Sequence, residues 1–315
     1  MTRYLSYRVF HAVIVVIGVT IIVFLLLHHL PGGPAQAVLG NKATPVSIAA
    51  FNKEYGLDKP LPVQYFTYVG QLLHGNLGYS YKLNISVDSL LAVDLPKTLF
   101  LVGISFLIAV IIAVPIGIAQ AVRRNRTLDH GLTGVSFILY SMPSFWLALL
   151  LIDILSVRLR ILPSQAPQGT TLGEVLTDPL ALVLPVLTLV LINFALFGRY
   201  MRASAVESLA QDYIKVARSK GLPEHKVLWG HVLRNSLLPI VTLLGLSLPW
   251  LFTAGLVIEQ IFNYPGTGLL FYTSAQAQDY PVELGITVMI AVTTVAGNLL
   301  ADIAYAVLDP RIRYS

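Results

Sequence analysis

Polar side chains inside the apolar parts of this chain are the first candidates for chemistry. Asp153 and Asp302 are carboxylates near the ends of apolar stretches, and Asn193 and Asn298 lie deeper in such stretches. An Asp at the centre of a membrane helix costs about 2.5–3.5 kcal/mol, so each polar group needs a partner or a function. These groups could hold helices together or line a polar passage. The candidates for the passage are Asn193, Asn298, Ser136, Thr242 and Asp153.

The two carboxylates also have simpler explanations. Asp153 lies shortly before Arg158, so the two side chains can meet at the membrane surface. Asp302 lies close to the end of the last apolar stretch and is expected to pair with a neighbouring helix or a backbone donor. Neither position is at mid-membrane, where a coupling-ion carboxylate is expected.

A second candidate site is the stretch DYIKVARSKGLPEHKV, residues 212–227, which is polar and basic between two apolar stretches. Gly221 can end a helix in the left-handed conformation, and Pro223 suits the start of the next helix. The pattern predicts a helix–glycine–helix elbow in which Ala217 and Gly221 let another protein approach. An ordinary basic loop on the inner face of a membrane is the alternative.

The helices on either side of this elbow are also indicated by the sequence. Residues 199–217 are expected to continue the preceding membrane helix as one helix. The following helix has an apolar stripe formed by Val227, Leu228, Val232 and Leu233.

Motifs for enzymatic chemistry are absent. No G-x-x-x-x-G-K-[ST] occurs, so no phosphate-binding loop is expected, and H-E-x-x-H and G-x-S-x-G are missing. The chain has no cysteine, which excludes a thiolate metal site. His28 and His29 are adjacent and would face different sides of a helix, which favours anchoring at the interface over a metal site. We expect no catalytic residue and no cofactor or metal bound by this chain.

Composition identifies the elements that must position these residues. The chain is 56% hydrophobic and 12% charged, which indicates that lipid surrounds most of it. Continuous apolarity over membrane length favours helices over strands. The sequence therefore predicts an all-α polytopic membrane protein with six transmembrane helices at Val9–Leu30, Thr98–Val122, Leu132–Val157, Leu180–Gly198, Leu237–Ile258 and Leu284–Leu308.

The distribution of Lys and Arg predicts the orientation. These residues are concentrated in the segments that are cytoplasmic if the N-terminus is cytoplasmic, so both termini are placed there. Inner loops that face anionic lipid explain the net charge of +5 without nucleic acid.

Three regions follow from this arrangement. Residues 1–30 hold the N-terminus and first helix, and residues 31–97 form an extracytoplasmic segment expected to fold as a cap of short helices. Residues 98–315 form a five-helix core with a cytoplasmic segment at 199–236. Kinks are predicted at the prolines inside the spans: Pro115, Pro143, Pro185 and Pro249.

Several stretches carry a family resemblance. KVARSKGLPEHKVLWGHVLRN resembles the EAA loop of ABC-importer permeases, with Lys215, Val216, Ala217 and Gly221 at the E, A, A and G positions. The loop departs from the general pattern by Lys215 in place of Glu and by Arg234 in place of Pro. HHLPGGPA, YGLDKPLPVQYFTYV, GNLGYSY, SMPSFWLALLLI, YPGTGLLFY, AQDYPVELG and NLLADIAYAVLDPRIRY are similar to the B-type permease of dipeptide and oligopeptide importers.

The resemblance implies a type I ABC-importer permease fold in a bacterial inner membrane. It implies partners: a second, C-type permease, two ATP-binding subunits or a fused pair, and an extracytoplasmic peptide-binding protein. ATP and Mg would be bound by those partners, so this chain would hydrolyse nothing itself. The coupling loop to the ATP-binding subunits would comprise Asp212, Tyr213, Lys215, Val216, Ala217, Arg218, Lys220, Gly221, Leu222, Glu224 and His225.

Alternatives remain for the substrate and for the class of protein. Nickel and glutathione importers share the permease architecture, so the resemblance favours a peptide without excluding them. An ion-coupled secondary transporter would need carboxylates near mid-membrane and usually an internal repeat, and we find no repeat. A scaffold protein would need no polar passage.

Overall fold

The computed structural model describes residues 2–237, 239–241, 243 and 250–308. Regular structure in these ranges is helical, and the one strand-like pairing within them is an isolated bridge between Tyr79 and Ser86. The all-α prediction is confirmed for the part of the chain that the structure describes.

The helices of the described ranges are numbered along the chain. In chain order they are α1 (Thr2–His28), α2 (Gly33–Leu39), α3 (Pro45–Glu54), α4 (Leu61–Leu73), α5 (Val87–Val122), α6 (Thr127–Ser141), α7 (Ser144–Leu151), α8 (Leu172–Val175), α9 (Pro179–Leu209), α10 (Asp212–Ser219), α11 (Glu224–Lys226), α12 (Leu233–Ser236), α13 (Trp250–Ile261), α14 (Thr267–Ala277) and α15 (Tyr280–Leu308). A 3-10 turn at Gly40–Lys42 follows α2, and π-helical turns occupy Ile152–Arg158 and Val227–Val232.

Membrane spans are recognisable by length and apolarity. Within the described ranges α5, α9 and the Tyr280–Asn298 part of α15 are each long and apolar enough to cross a bilayer. Two bent pairs raise the number from three to five, namely Val13–His28 with Gly33–Lys42 and Thr127–Ser141 with Ser144–Arg158. The predicted span Leu237–Ile258 includes residues outside the described ranges. Thr242 and Pro249 are among those residues.

The third predicted span is not a continuous helix. α6 and α7 meet at an angle of 107°, which is far more than a kink. Met142 is extended, with φ −78° and ψ 132°, because a residue before proline is pushed out of the helical region. Pro143 then caps α7 with ψ 139°. In contrast, Pro115 and Pro185 lie inside α5 and α9, which continue through them.

The centre of the molecule is the contact between α5 and α9. Gly117 of α5 lies directly against Met201, and a Cβ at Gly117 would be 2.7 Å from the Cβ of Met201. A second part of the apolar core of these two helices includes the fully buried Leu101, Leu184 and Phe197. The glycine thus lets two long helices approach closely at the end where α9 leads into the elbow.

The cap, defined here as residues 31–86, contains the short helices α2, α3 and α4. Its contacts with α1 are polar as well as apolar. The hydroxyls of Thr20 and Tyr65 are 3.0 Å apart, and His28 Nε2 is 3.0 Å from Gln64 Oε1. His28 therefore fastens α1 to the cap, and the interface anchoring predicted for it stays a prediction.

The cap is also fastened to α15 at the other end of the chain. The buried carboxylate of Asp279 accepts hydrogen bonds from the Ser80 hydroxyl and from the Tyr81 N–H at 2.9 Å. α1 packs against the same end of α15 through Phe24, Leu27 and Leu284. The first and last helices and the cap thus form one packed unit.

Candidate functional site

The stretch 212–227, called the elbow below, has the geometry predicted for it. α10 ends at Ser219, and Gly221 has φ +75°, in the left-handed region. The N–H of Leu222 donates to the carbonyl of Ala217 at 3.3 Å, which closes the end of α10. A Cβ at Gly221 would meet nothing within 4 Å, so the backbone conformation, rather than space, requires glycine here. Pro223 directly precedes α11, as predicted.

The inner face of the elbow belongs to the core. Ile214 and Ala217 are buried in one cluster with Met201 and Ala205 of α9. The predicted apolar stripe after the turn packs there too, with Val227 and Val232 buried and Leu228 and Leu233 partly buried. The elbow is therefore a fixed part of the structure.

The expected exposure of Ala217 to another protein is wrong for this chain. Ala217 is only 5% exposed and faces its own chain. Because α10 is short and Ile214 lies one turn before Ala217, both residues point to the core face. The small side chain allows α10 to lie close to its own core, and Gly221 is the one exposed member of the predicted pair.

The outer face of the elbow is polar with an apolar centre. Val216 is 51% exposed and Tyr213 is 41% exposed, although both are large apolar or aromatic residues. Lys215 binds Asp212 at 2.8 Å, and this hydrogen bond together with the positive charge lowers the pKa of Asp212. The remaining exposed members of the predicted loop are Arg218, Lys220, Glu224 and His225, whereas Leu222 is half-buried.

An ion pair crosses the turn of the elbow. Arg218 donates to both carboxylate oxygens of Glu224, at 3.2 and 2.6 Å. Exposed pairs contribute little to stability. This pair links the two sides of the turn, so α10 and α11 lie next to each other around Gly221.

The helix before the elbow ends earlier than predicted. Residues 199–217 do not form one helix, because α9 stops at Leu209 and Gln211 is extended with ψ 150°. The Tyr213 hydroxyl lies 2.7 Å from that of Ser208 and bridges the break. The break turns α10 away from the α9 axis, which is what allows its inner face to pack on the core.

The sequence analysis missed a buried ion pair between α6 and α9, the helix that precedes the elbow. Asp129 is 2% exposed in its side chain and accepts two hydrogen bonds from Arg202, at 2.6 and 2.7 Å. It also accepts the N–H of Asn125 at 3.0 Å. The pair joins the start of α6 to α9. A carboxylate in the first turn of a helix is a recognisable signal, but a partner 73 residues away leaves none in the sequence.

A second cluster that the sequence analysis missed lies in the N-terminal half of α5, away from the Gly117–Met201 contact. Glu259 is fully buried; one carboxylate oxygen accepts the Thr98 hydroxyl at 2.7 Å, and the other accepts the N–H of Gly268 at 2.7 Å. The N–H of Leu269 donates to the same oxygen at 3.2 Å. These N–H groups belong to the first turn of α14, where backbone donors have no partner within the helix. Glu259 therefore caps α14 and ties it to α5.

Glycines make room for this cap. A Cβ at Gly266 would lie 2.5 Å from an oxygen of Glu259, and a Cβ at Gly268 would lie 2.4 Å from the Cα of Leu256. The motif YPGTGLLF thus places α14 directly against α13. The sequence showed the family resemblance of this motif but did not predict the contact between α14 and α13.

The predicted passage residues do not form one cluster. Asn193 is buried and donates to the carbonyl of Leu189 in its own helix at 2.7 Å. Ser136 is buried on α6 at the wall of a cavity, and Asn298 is exposed on α15. Thr242 lies outside the described residues. The passage stays a prediction.

Asp153 has the partner that its position suggested. Its carboxylate lies 2.8 Å from the guanidinium of Arg158, and both side chains are substantially exposed. The two residues lie in the π-helical turn after α7. This ion pair favours the simpler explanation, in which Asp153 sits at the surface of the span.

Comparison with known proteins covers the whole chain. Residues 113–314 match the family model described as "Binding-protein-dependent transport system inner membrane component", and residues 1–102 match the model of its N-terminal part. The oligopeptide transport system permease protein AppB of Bacillus subtilis is 38% identical, with 100% of both chains covered. A putative peptide permease protein of Brucella suis is 39% identical over 99% of both chains. The probable D,D-dipeptide transport system permease protein DdpB of Escherichia coli is 36% identical over 98% of this chain and 96% of its own.

Proposed function

Since this chain belongs to the family of binding-protein-dependent transport system inner membrane components, we propose that it is the permease subunit of an ATP-driven peptide importer. A permease of this family is a transport component of a membrane and not an enzyme. The apolar helices of the structure agree with a multi-pass location in the bacterial inner membrane. Peptide is favoured over nickel or glutathione because the relatives reported above are named for peptides.

The observation that carries the coupling role is the two-sided elbow. Its inner face is buried in the core through Ile214 and Ala217, and its outer face exposes Tyr213 and Val216. An apolar centre with a charged rim is typical of a surface that another protein covers. ATP-binding subunits that close around their nucleotide would press on this surface.

The same packing supplies a route for the movement. The elbow shares one apolar cluster with α9, and the Asp129–Arg202 pair connects α9 to α6. Closely packed elements transmit a push as rigid bodies rather than deforming. A push on the elbow would therefore tilt α9, α5 and α6 together and switch the passage between its inward-facing and outward-facing states.

The remaining partners follow from the same family. A second permease would complete the passage, two ATP-binding subunits would hold ATP and Mg, and an extracytoplasmic binding protein would deliver the peptide to the cap and to the 259–283 segment. The chain is proposed to cross the membrane six times, with both termini cytoplasmic. In this arrangement the elbow and the Asp129–Arg202 pair lie on the cytoplasmic side, and the Glu259 cluster lies on the opposite side.

Gly221→Val tests the coupling role. A β-branched residue at φ +75° is strained by about 1–2 kcal/mol, which lowers the ratio of the native elbow conformation to its alternatives about 5–30-fold. We expect ATP-driven uptake of a labelled tripeptide into proteoliposomes to fall while the complex still assembles. The stimulation of ATPase activity by the loaded binding protein should fall in parallel.

Gly221→Asn is the matched control, since Asn tolerates the left-handed region and the site has open space for its side chain. It should retain most of the uptake. Normal uptake in Gly221→Val, or equal loss in both variants, would contradict the assignment of this turn as the coupling element.

A further inference from the structure

The Arg199 side chain is an unneutralised cation in the described structure. Its guanidinium lies 4.7 Å from the ring centroid of Tyr140 and 5.3 Å from that of Phe137, both on α6. Among the described residues it has neither an ion pair nor a side-chain hydrogen bond. Stacking on aromatic rings fixes the guanidinium in place while its N–H donors remain unused.

The buried carboxylate of Asp129 on α6 is not available to Arg199. Both oxygens of Asp129 are occupied by Arg202, and one of them also accepts the N–H of Asn125. The Asp129–Arg202 pair is neutral as a unit, so one positive charge remains between α6 and α9.

A cavity with both polar and apolar walls lies beside this charge. Its volume is about 420 Å³, and besides Arg199 and Arg202 its walls include the polar side chains of Gln120, Thr133 and Ser136. Amide and hydroxyl donors beside a guanidinium suit oxygen atoms that carry negative charge. The cavity is open at one side and can admit a group from outside the chain.

An apolar cavity adjoins it. The sharp bend between α6 and α7 leaves a space of about 560 Å³ lined by Phe137, Ile138, Met142 and Trp146. Phe137 lines both cavities, so the polar and apolar spaces share a wall. Together they fit a molecule with an anionic head and an apolar tail.

The position along the span identifies the environment. Arg199 is the first charged residue after the apolar run Leu180–Gly198, which places it where hydrocarbon ends. Tyr200, which lines the same cavity, is exposed, and exposed tyrosines are typical of the membrane–water boundary. The cavity therefore opens at the depth of lipid headgroups.

We propose that these two cavities bind one anionic phospholipid, with its phosphodiester on Arg199 and an acyl chain along Phe137, Ile138 and Trp146. A single excess positive charge matches a singly charged headgroup such as phosphatidylglycerol. A choline headgroup would bring its own cation to the same place. The site goes beyond the proposed transport function and does not depend on which substrate is carried.

The experiment uses the assembled permease complex in nanodiscs of phosphatidylcholine with increasing phosphatidylglycerol. The phosphatidylglycerol that stays on the complex after mild extraction is counted by mass spectrometry. We expect Arg199→Gln to need about fivefold more of this lipid for the same retention, because one basic contact is lost. Arg199→Lys should lie between that variant and the wild type, since it keeps the charge but loses the planar stacking. Lys53→Gln removes an exposed basic residue of the cap, far along the chain from this site, and should leave the retention unchanged.

Two results would overturn the proposal. Equal retention of phosphatidylglycerol by the wild type and Arg199→Gln, or equal retention of phosphatidylcholine and phosphatidylglycerol by the wild type, would remove the site. Displacement of the lipid by a tripeptide but not by its C-terminal amide would assign Arg199 to a substrate carboxylate instead. The binding readout needs no transport, so a failure here is distinct from a failure of the peptide-importer function, which uptake measures.

Discussion

Glu259→Ala is expected to lower the unfolding temperature of the assembled complex and to abolish peptide uptake. The change leaves the N–H groups of Gly268 and Leu269 without an acceptor, whereas the Thr98 hydroxyl can turn to that of Thr267. Each buried donor left unpaired costs about 1–3 kcal/mol, so these two together cost roughly 2 kcal/mol or more. Thermal unfolding of the purified complex and uptake into proteoliposomes measure the two effects.

Glu259→Gln separates hydrogen bonding from charge at this position. The amide oxygen can accept from Gly268 and Leu269, while its nitrogen donates to Thr98, whose own proton can turn to the Thr267 hydroxyl 3.0 Å away. We therefore expect near-normal stability and uptake. A stable Glu259→Gln complex without uptake would mean that the charge or a proton of Glu259 takes part in transport, which would revive an ion-coupled mechanism.

Arg202→Ala is expected to destabilise the complex more than Asp129→Ala does. Without Arg202 the carboxylate of Asp129, which is 2% exposed, stays buried and unpaired, and breaking such a pair costs about 3–5 kcal/mol. Without Asp129 the Arg202 side chain, which is 29% exposed, can turn to water, so the loss is smaller. The unfolding temperatures of the two variants measure the difference.

The double variant Asp129→Ala/Arg202→Ala provides the control. It removes the buried charge together with its partner, so it should be more stable than Arg202→Ala alone. Equal effects of the two single variants, or a double variant whose loss is their sum, would contradict a buried pair that couples α6 to α9.

The elbow could be predicted from the sequence because its geometry depends on local chemistry. Gly221 and Pro223 set the backbone whatever surrounds them, and the apolar stripe with Val227 and Val232 follows the helical period. The side that faces outward could not be predicted in the same way. It depends on the break after Leu209, and at Ala217 a small residue is equally consistent with a partner's surface and with the chain's own core.

The spans show the same division. Hydropathy located apolar stretches that coincide with α5, α9 and α15, because membrane length is a property of a single segment. Pro143 predicted the position of the bend after Ser141. Its angle of 107° could not be predicted, because the angle depends on what α7 packs against. The Glu259–Thr98 and Asp129–Arg202 contacts were missed entirely, since each joins residues far apart in a chain read without homologues.

The fastening of the cap by Asp279 sets an order of events during synthesis. Ser80 and Asp279 are separated by 199 residues, so the ribosome must make most of the protein before the cap can close. At about 5–20 residues per second this interval is roughly 10–40 s. During that time Ser80 and the N–H of Tyr81 lack their final acceptor. A chain that stops before residue 279 would therefore carry a cap in which Ser80 and Tyr81 lack this acceptor.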